Sequence, residues 1–324
     1  MNTPVLVSVY HRLNTFKRCI GALQNNAEAR ATDLFIVSDG AGRIEDEVRV
    51  ASVRRFAHGI SGFRSVSVIE LPENWGANRS VMEAIGELLG RFGQLIFMED
   101  DILPSSHFLG FMNHGLNVYK DDATVFAVCG YKAPFKMPRF YTKDVFFLER
   151  YCPWGIGLWA DKFFQVNHGE FDRYSSLKKE DEATFRFLQK NDPSFLGILQ
   201  GDSEGLIKAA DVRIEYHLCR THKMCVYPAY TMTNVMDSGE DSMHSTVKWI
   251  ADEPLRDTCP KDLGLIDRVM DERIYMAFLK GKYPTLIQRF WFSILHNGIL
   301  WTLRYYWGRL SNRKTIEKDS RFKE

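Results

Sequence analysis

The sequence predicts an α/β fold, a mostly parallel sheet flanked by helices with an amphipathic helical extension at the C-terminus. Three observations carry this. Short β-branched apolar runs, PVLVSVY, DLFIVS, SVSVIEL and QLIFM, recur through the first hundred residues. Segments with apolar residues at helical spacing separate them, and strand, helix, strand within about forty residues is a βαβ unit, whose crossovers build a parallel, right-handed sheet. The runs end in polar groups, His11-Arg12, Asp39-Gly40, the ENW loop and Glu99-Asp100-Asp101, and the rim at the carboxyl ends of such strands is where ligands bind.

Pro4–Tyr10 is read as a central strand, with a helix following from Asn14 or Thr15 through Phe16, Cys19, Ile20 and Leu23. The second strand, 33–38, stops at Asp39-Gly40, where a carboxylate can meet a nucleoside or simply make a turn. Arg43–His58 is a charged amphipathic helix with Ile44, Val48, Ala51 and Phe56 inward, and Ser65–Leu71 is a third strand running into PENWGANRS. There Asn74, Trp75 and Gly76 form an irregular loop that delivers the helix from Ala77, carrying Arg79 near an N-terminus suited to phosphate oxygens.

Leu95–Met98 is a fully buried strand, and the acids after it would each prefer water or a cation, so a divalent ion is a simple way to stabilise them. A helix is expected over Pro104–Lys120, strands over 124–129, 144–148 and 225–229, and a charged helix over 171–189. WGIGLW is expected to be a tight loop with aromatic faces, Trp154 and Trp159 being candidates either for stacking on a sugar or for the core. Asp202 precedes the apolar spacing Leu206, Ile207, Ala210, so N-capping is its structural role. TNVMDSGEDSMHS is a polar loop ending in His244.

Charge bounds the partners. With 42 Lys plus Arg against 41 Asp plus Glu, net charge is +1, which gives no reason to expect nucleic acid. Six cysteines stand without CxxC spacing, so reduced thiols are expected rather than a zinc site or a disulfide framework. No signal peptide is expected in MNTPVLVSVYHR, and no apolar run reaches about 18 residues. From 283 to 310, Phe, Trp, Tyr and Leu dominate, with Arg289, Ser293, Arg304 and Gly308 on a narrow polar face. Such a helix packs on the domain, forms a homodimer, or lies at a membrane interface.

The order PVLVSVYHR, VSDG, ENWGANRS, FMEDDILPSSHFLGFM resembles the bacterial GT-A glycosyltransferases of the family 2 type, and the EDD is similar to the metal motif of the N-acetylglucosaminyltransferase I group. WGIGLW, GDSEGL and VYPAYTMTNVMDSGEDSMH are similar to the acceptor side of the same bacterial family, so the resemblance spans roughly residues 4 to 244. It implies a GT-A domain over 1–250, with a nucleotide-sugar-binding half (1–130) and an acceptor-binding half (131–250), and a 251–324 extension.

The implied activity is transfer of a hexosyl or N-acetylhexosaminyl group from a nucleotide-diphosphate donor, a UDP-sugar first, to a glycan or lipid-linked acceptor, with inversion, in cell-surface polysaccharide synthesis. Mn2+ or Mg2+ would be the cofactor, held by Asp101 with His244 as second ligand or diphosphate contact. Tyr10, Arg12 and Asp39 would hold the nucleoside, Asn74 would lie beside it, and Arg79 would reach the phosphates. Glu99 and Asp100 would hold ribose or sugar, and Trp154 would face the sugar. Asp202 would be the general base, and Glu204, standing where the family has an aromatic, is its rival. Cys152-Pro153 and the longer loop before His244 also depart from the family pattern. The expected location is cytoplasmic, or peripheral on the inner face of the cytoplasmic membrane. Competing classes are a sugar-nucleotide nucleotidyltransferase, whose Gly-rich basic loop is missing after the first strand, and a non-catalytic subunit of a glycan assembly complex.

Overall fold

The computed structural model describes residues 2–135, 137–139, 141–166, 174–191, 193–206 and 209–236, with Leu255, Thr258, Pro260, Leu263 and Ile274. The strands are β1 (Val5–Val9), β2 (Asp33–Ser38), β3 (Ser65–Glu70), β4 (Gln94–Glu99), β5 (Ile102–Pro104), β6 (Val125–Cys129), β7 (Val145–Leu148), β8 (Ile156–Trp159), β9 (Met224–Pro228) and β10 (Thr233–Val235). The helices are α1 (Leu13–Gln24), α2 (Glu47–His58), α3 (Ala77–Phe92), α4 (Phe108–Val118), α5 (Ala160–Phe163), α6 (Tyr174–Glu180), α7 (Glu182–Asn191), α8 (Pro193–Ser203) and α9 (Ala210–Thr221).

Eight strands make one sheet in the order β3-β2-β1-β4-β8-β6-β9-β7, and β8 and β7 run against the other six. The α/β class and mostly parallel sheet read from the sequence are therefore present. β1 is flanked by β2, with Val5 opposite Leu34, and by β4, with Val5 opposite Ile96. Both faces of β1 are covered, which explains its unbroken apolar run. One core joins Val5, Val7 and Val9 to Phe16, Cys19, Ile20 and Leu23 of α1, Val53 and Ala57 of α2, and Phe108, Phe111 and Met112 of α4. Each buried Val, Leu, Ile, Phe or Met among these contributes roughly 1.5–3 kcal/mol. A separate apolar cluster ties α6 to α9 through Leu177, Leu188, Phe195, Leu199, Val212 and Tyr216.

Three local expectations are corrected. WGIGLW contains a central strand: β8 lies between β4 and β6, and a Cβ at Gly157 would sit 3.0 Å from Leu116 Cγ, so glycine there admits α4 against the sheet. Trp159 is core, its Nε1 donating to Leu116 O at 3.2 Å. The helix expected from Pro104 begins at Phe108, because 102–104 pairs antiparallel with 233–235. The helix expected over 171–189 is divided at Asp181, whose Oδ1 accepts from Thr184 N at 3.2 Å and so starts α7 afresh.

Among the described residues no helix is long and apolar enough to cross a membrane. The 283–310 segment, most of the 251–324 extension and His244 lie outside them.

Candidate active site

In the strand order β3-β2-β1-β4, the crossovers leave β1 in opposite directions, and the crevice between the ends of β1 and β4 is a topological switch point. Arg12 follows β1, and Asp100 and Asp101 follow β4. The Arg12 guanidinium pairs with both, Nη2 with Asp100 Oδ1 and Nη1 with Asp101 Oδ2 at 2.8 Å. Asp100 N also donates to Ser8 O at 3.0 Å, extending the β1–β4 ladder into the acidic turn.

Three carboxyl groups crowd one guanidinium here. Burial first, then the charges of Asp101 and Asp100, push Glu99 up to about 8. Burial also raises Asp100 to about 6 against the opposing pull of Arg12. For Arg12, burial disfavours the charge, but Asp100 and Asp101 outweigh it and hold its pKa above the ordinary value.

Asp101 Oδ1 is buried and has no hydrogen-bond partner. A desolvated, unpaired carboxylate oxygen is costly, and a hard divalent cation is a group that would satisfy it. Among the described residues no three ligating side chains converge. The residues therefore fit an ion shared with phosphate oxygens and water, as Mg2+ is commonly held, rather than one caged by protein alone.

The second part of the rim is built around Asp39. Its Oδ1 accepts from Gly40 N at 3.0 Å and Trp75 N at 2.9 Å, so it fixes the loop after β3. Asn74 Nδ2 donates to Gly40 O at 2.8 Å. A Cβ on Gly40 would lie 2.4 Å from the Glu73 carbonyl carbon, so only glycine lets the two loops meet. Tyr10 donates to Asp46 Oδ2 at 2.9 Å and accepts from Gly42 N at 2.8 Å, which ties the loop after β2 to the end of β1. Gly76, with φ +77°, turns the chain into α3, and the exposed Arg79 lies over the Trp75 ring at 4.3 Å. The Trp75 Nε1 proton is buried without an acceptor, a second unmet polar group on this rim.

Trp154 is half-buried, edge-on to Tyr131 at 4.8 Å between ring centroids, and its carbonyl accepts from Thr233 Oγ1 at 2.8 Å. Thr233 belongs to β10, which pairs with β5 directly after the acidic turn, and Met236 N donates to Asp101 O at 2.7 Å. The acidic turn is thus held from both ends of the domain.

Asp202 ends α8 instead of preceding a helix, and Gly205, at φ +71°, lets the chain leave. Its carboxylate is fully enclosed. Oδ1 accepts from Ala209 N at 2.9 Å and Oδ2 from Arg213 Nε at 2.6 Å, so it anchors the start of α9. Glu204 is exposed and accepts from Gln200 Nε2 at 2.8 Å.

Sequence reasoning missed Arg54, whose Nη2 donates to Leu71 O at 2.7 Å and to Ser38 O and Asp39 O at 3.3 Å each, tying the ends of β2 and β3 together. It lies on a charged helix whose inward face was expected at Ile44, Val48, Ala51 and Phe56; Ile44, Val48 and Ala51 are instead exposed and Val50, Val53 and Ala57 are buried, so the face beside Arg54 was misassigned.

No family model and no curated protein matches the chain. Similar solved structures include the mannosyltransferase PcManGT from Pyrobaculum calidifontis in complex with GDP-Man and Mn2+, 16% identical over 49% of this chain and 45% of that one, TM-score 0.35. Others are S. aureus TarS 1-349, 9% identical over 73% and 61%, TM-score 0.43, and its complex with UDP-GlcNAc, 12% over 48% and 45%, TM-score 0.33. This chain thus spans less than two thirds of each of these chains. Such distant likenesses do not speak for activity.

Proposed function

We propose that the protein is a metal-dependent glycosyltransferase that moves a sugar from a nucleotide-diphosphate donor to a hydroxyl acceptor with inversion. The observation that carries this is the unpartnered Asp101 Oδ1, sited beside Arg12 at the β1/β4 switch point, with the loops that Asp39 fixes at the end of the neighbouring β2. A divalent ion bound there would neutralise the departing diphosphate.

The chain's own residues supply the rest. Asp39 and the loops it fixes, with Tyr10 behind them, form the nucleoside pocket, and Asn74 holds its wall. Arg12 is better placed to hold the carboxylates of Asp100 and Asp101 than to touch a base. Arg79, exposed at the start of α3, can swing from Trp75 to a phosphate. Glu99, raised to about 8 by burial and its acidic neighbours, is largely protonated at neutral pH and can donate to a ribose or sugar oxygen. Trp154 gives an aromatic wall on the acceptor side. His244 is proposed as a further contact to ion or diphosphate.

Incubating the protein with UDP-GlcNAc, GDP-mannose and other nucleotide sugars, with Mn2+ or with EDTA, tests this. Nucleotide release that requires the cation is expected; a protein that releases nucleotide from none of them overturns it. Pyrophosphate formation from a sugar phosphate and a nucleoside triphosphate would instead identify a nucleotidyltransferase.

The acceptor is proposed to be a glycan or lipid-linked precursor of an envelope polysaccharide, on the inner face of the cytoplasmic membrane, reached through the 283–310 segment. Removing 283–324 should shift the protein from vesicle-bound to free in a flotation assay; an unchanged distribution rejects that placement.

A further inference from the structure

The two edges of the sheet are finished differently. At β7 all four residues are buried, and Tyr141 Oη donates to Val145 O across the outer side. At the other edge, β3 pairs with β2 from Ser65 to Glu70 without a bulge, and among the described residues no strand lies on its outer side. Soluble proteins blunt such an edge with proline, lysine or a bulge, because free backbone groups template pairing with another chain. SVSVIE carries none of these devices.

The hydrogen bonds show which groups are free. Leu71 N donates to Ser38 O at 3.0 Å. Backbone groups alternate sides along a strand, so the odd-numbered residues of β3 face β2, and the N–H and C=O of Val66 and Val68 point outward. Both valine side chains are half-buried against the core on the α2 side. Beside them lies an open cleft of about 380 Å³, lined also by His58, Ile60, Phe63 and Arg64. Exposed charges stand at the two ends of the strand, Arg64 before it and Glu70 at its close.

We propose that β3 is a dimer interface, at which two copies of this chain pair their β3 strands antiparallel about a two-fold axis at Ser67. Residues that oppose one another across such an axis share a face of the sheet. Val66 then opposes Val68 of the second copy, and Val68 opposes its Val66, so both pairs exchange the N–H and C=O groups that are free in the single chain. Charge selects this register: it is the one that sets Arg64 opposite Glu70 at both ends. Arg64 donates Nε and Nη2 to Asp33, which leaves Nη1 for the second copy. Glu70 faces His58 at 2.7 Å and Arg54 at 3.2 Å, which holds its carboxylate at the edge. The floor of the cleft, Val66 and Val68, continues across the axis into the same floor of the second copy. Because the paired strands run in opposite directions, the two strand-end rims lie at opposite ends of the dimer and neither obstructs the other. The interface is separate from the 283–310 segment and does not depend on the transferase reading. An edge of this length buries little surface, so the dimer dissociates on dilution.

Sedimentation of the full chain over a dilution series should show a two-chain species giving way to single chains. V68P removes an outward N–H and leaves the bonds to β2 in place, and it should raise the dissociation constant about tenfold or more. R64E sets two carboxylates against each other at both ends, and E70R sets two guanidinium groups there, so each should sediment as a single chain. Mixed together, they place opposite charges at both ends and should associate one to one. An unsubstituted chain that stays single at every concentration overturns the proposal. So does a V68P dissociation constant within about twofold of the unsubstituted value, or a mixture of folded R64E and folded E70R that does not associate.

Discussion

Two of the arginines that hold carboxylates in this molecule do so in opposite settings. Arg150, fully buried, is paired with Glu215 of α9 and lies near the Phe195 ring, joining the strand half of the sheet to the helical cluster behind it. Arg12, at the rim, faces Asp100 and Asp101 with Glu99 alongside, and one Asp101 oxygen is left over. The first arrangement holds opposite charges together away from water. The second gathers more negative charge than its guanidinium can match, an imbalance that the proposed cation would offset. Excess of one sign distinguishes a site from a strut.

The largest effect should come from the interior pair. Glu215→Gln leaves the Arg150 charge in the core without its carboxylate, and a loss of about 3–5 kcal/mol is expected in denaturant unfolding. A loss under about 1 kcal/mol would erase the distinction drawn here.

Next is Arg12→Met, which leaves Asp100 and Asp101 uncompensated and should cost about 1–3 kcal/mol. Because the deficit is one of positive charge, Mn2+ should return more stability to this variant than to the unsubstituted protein in a thermal melt. Equal cation shifts would refute the view of the rim as charge-deficient.

Asp101→Asn should change stability by about 1 kcal/mol or less, since it removes repulsion along with one ion pair. It should nonetheless abolish the extra thermal protection that Mn2+ and a nucleoside diphosphate give together. Retained protection would move the ion elsewhere.

A comparably small effect is one of pH, measured with EDTA present. Glu99 titrates near 4.5 unfolded and about 8 folded, so the folded state prefers its neutral form. Its contribution is complete below about 4.5 and is lost as pH rises through about 8. Melts of Glu99→Gln and the unsubstituted protein from pH 5 to 8.5 should therefore diverge in favour of the glutamine as pH rises, by about 1 kcal/mol, since the side chain is partly exposed and water screens it. Parallel curves would show that Glu99 is no more crowded than a surface acid.

The sheet was legible because β1, β2 and β4 are buried on both faces and write themselves as unbroken apolar runs ending in polar rims, while the edge strand β3 shows the alternation of SVSVIE. Asp39, Asp100 and Asp101 were legible for the same reason, as charges at the edge of a hydrophobic strand. β8 was not, because Gly155 and Gly157 carry no side chains to display an alternation and were selected by what packs on them, Phe108, Thr233 and Leu116. The partner of Asp202 was hidden in another way: Arg213 lies eleven residues on and reads as one more charge on α9. Tertiary pairing of that kind leaves no periodic trace.

The antiparallel clasp of 102–104 by 233–235, with Met236 N on the Asp101 carbonyl, sets an order of events during synthesis. The first four strands and their helices can associate once residue 99 has cleared the ribosome, yet the turn carrying Asp101 acquires its last backbone partner only after residue 236 emerges. A nascent chain released short of that point would have its first four strands folded and an unanchored acidic turn.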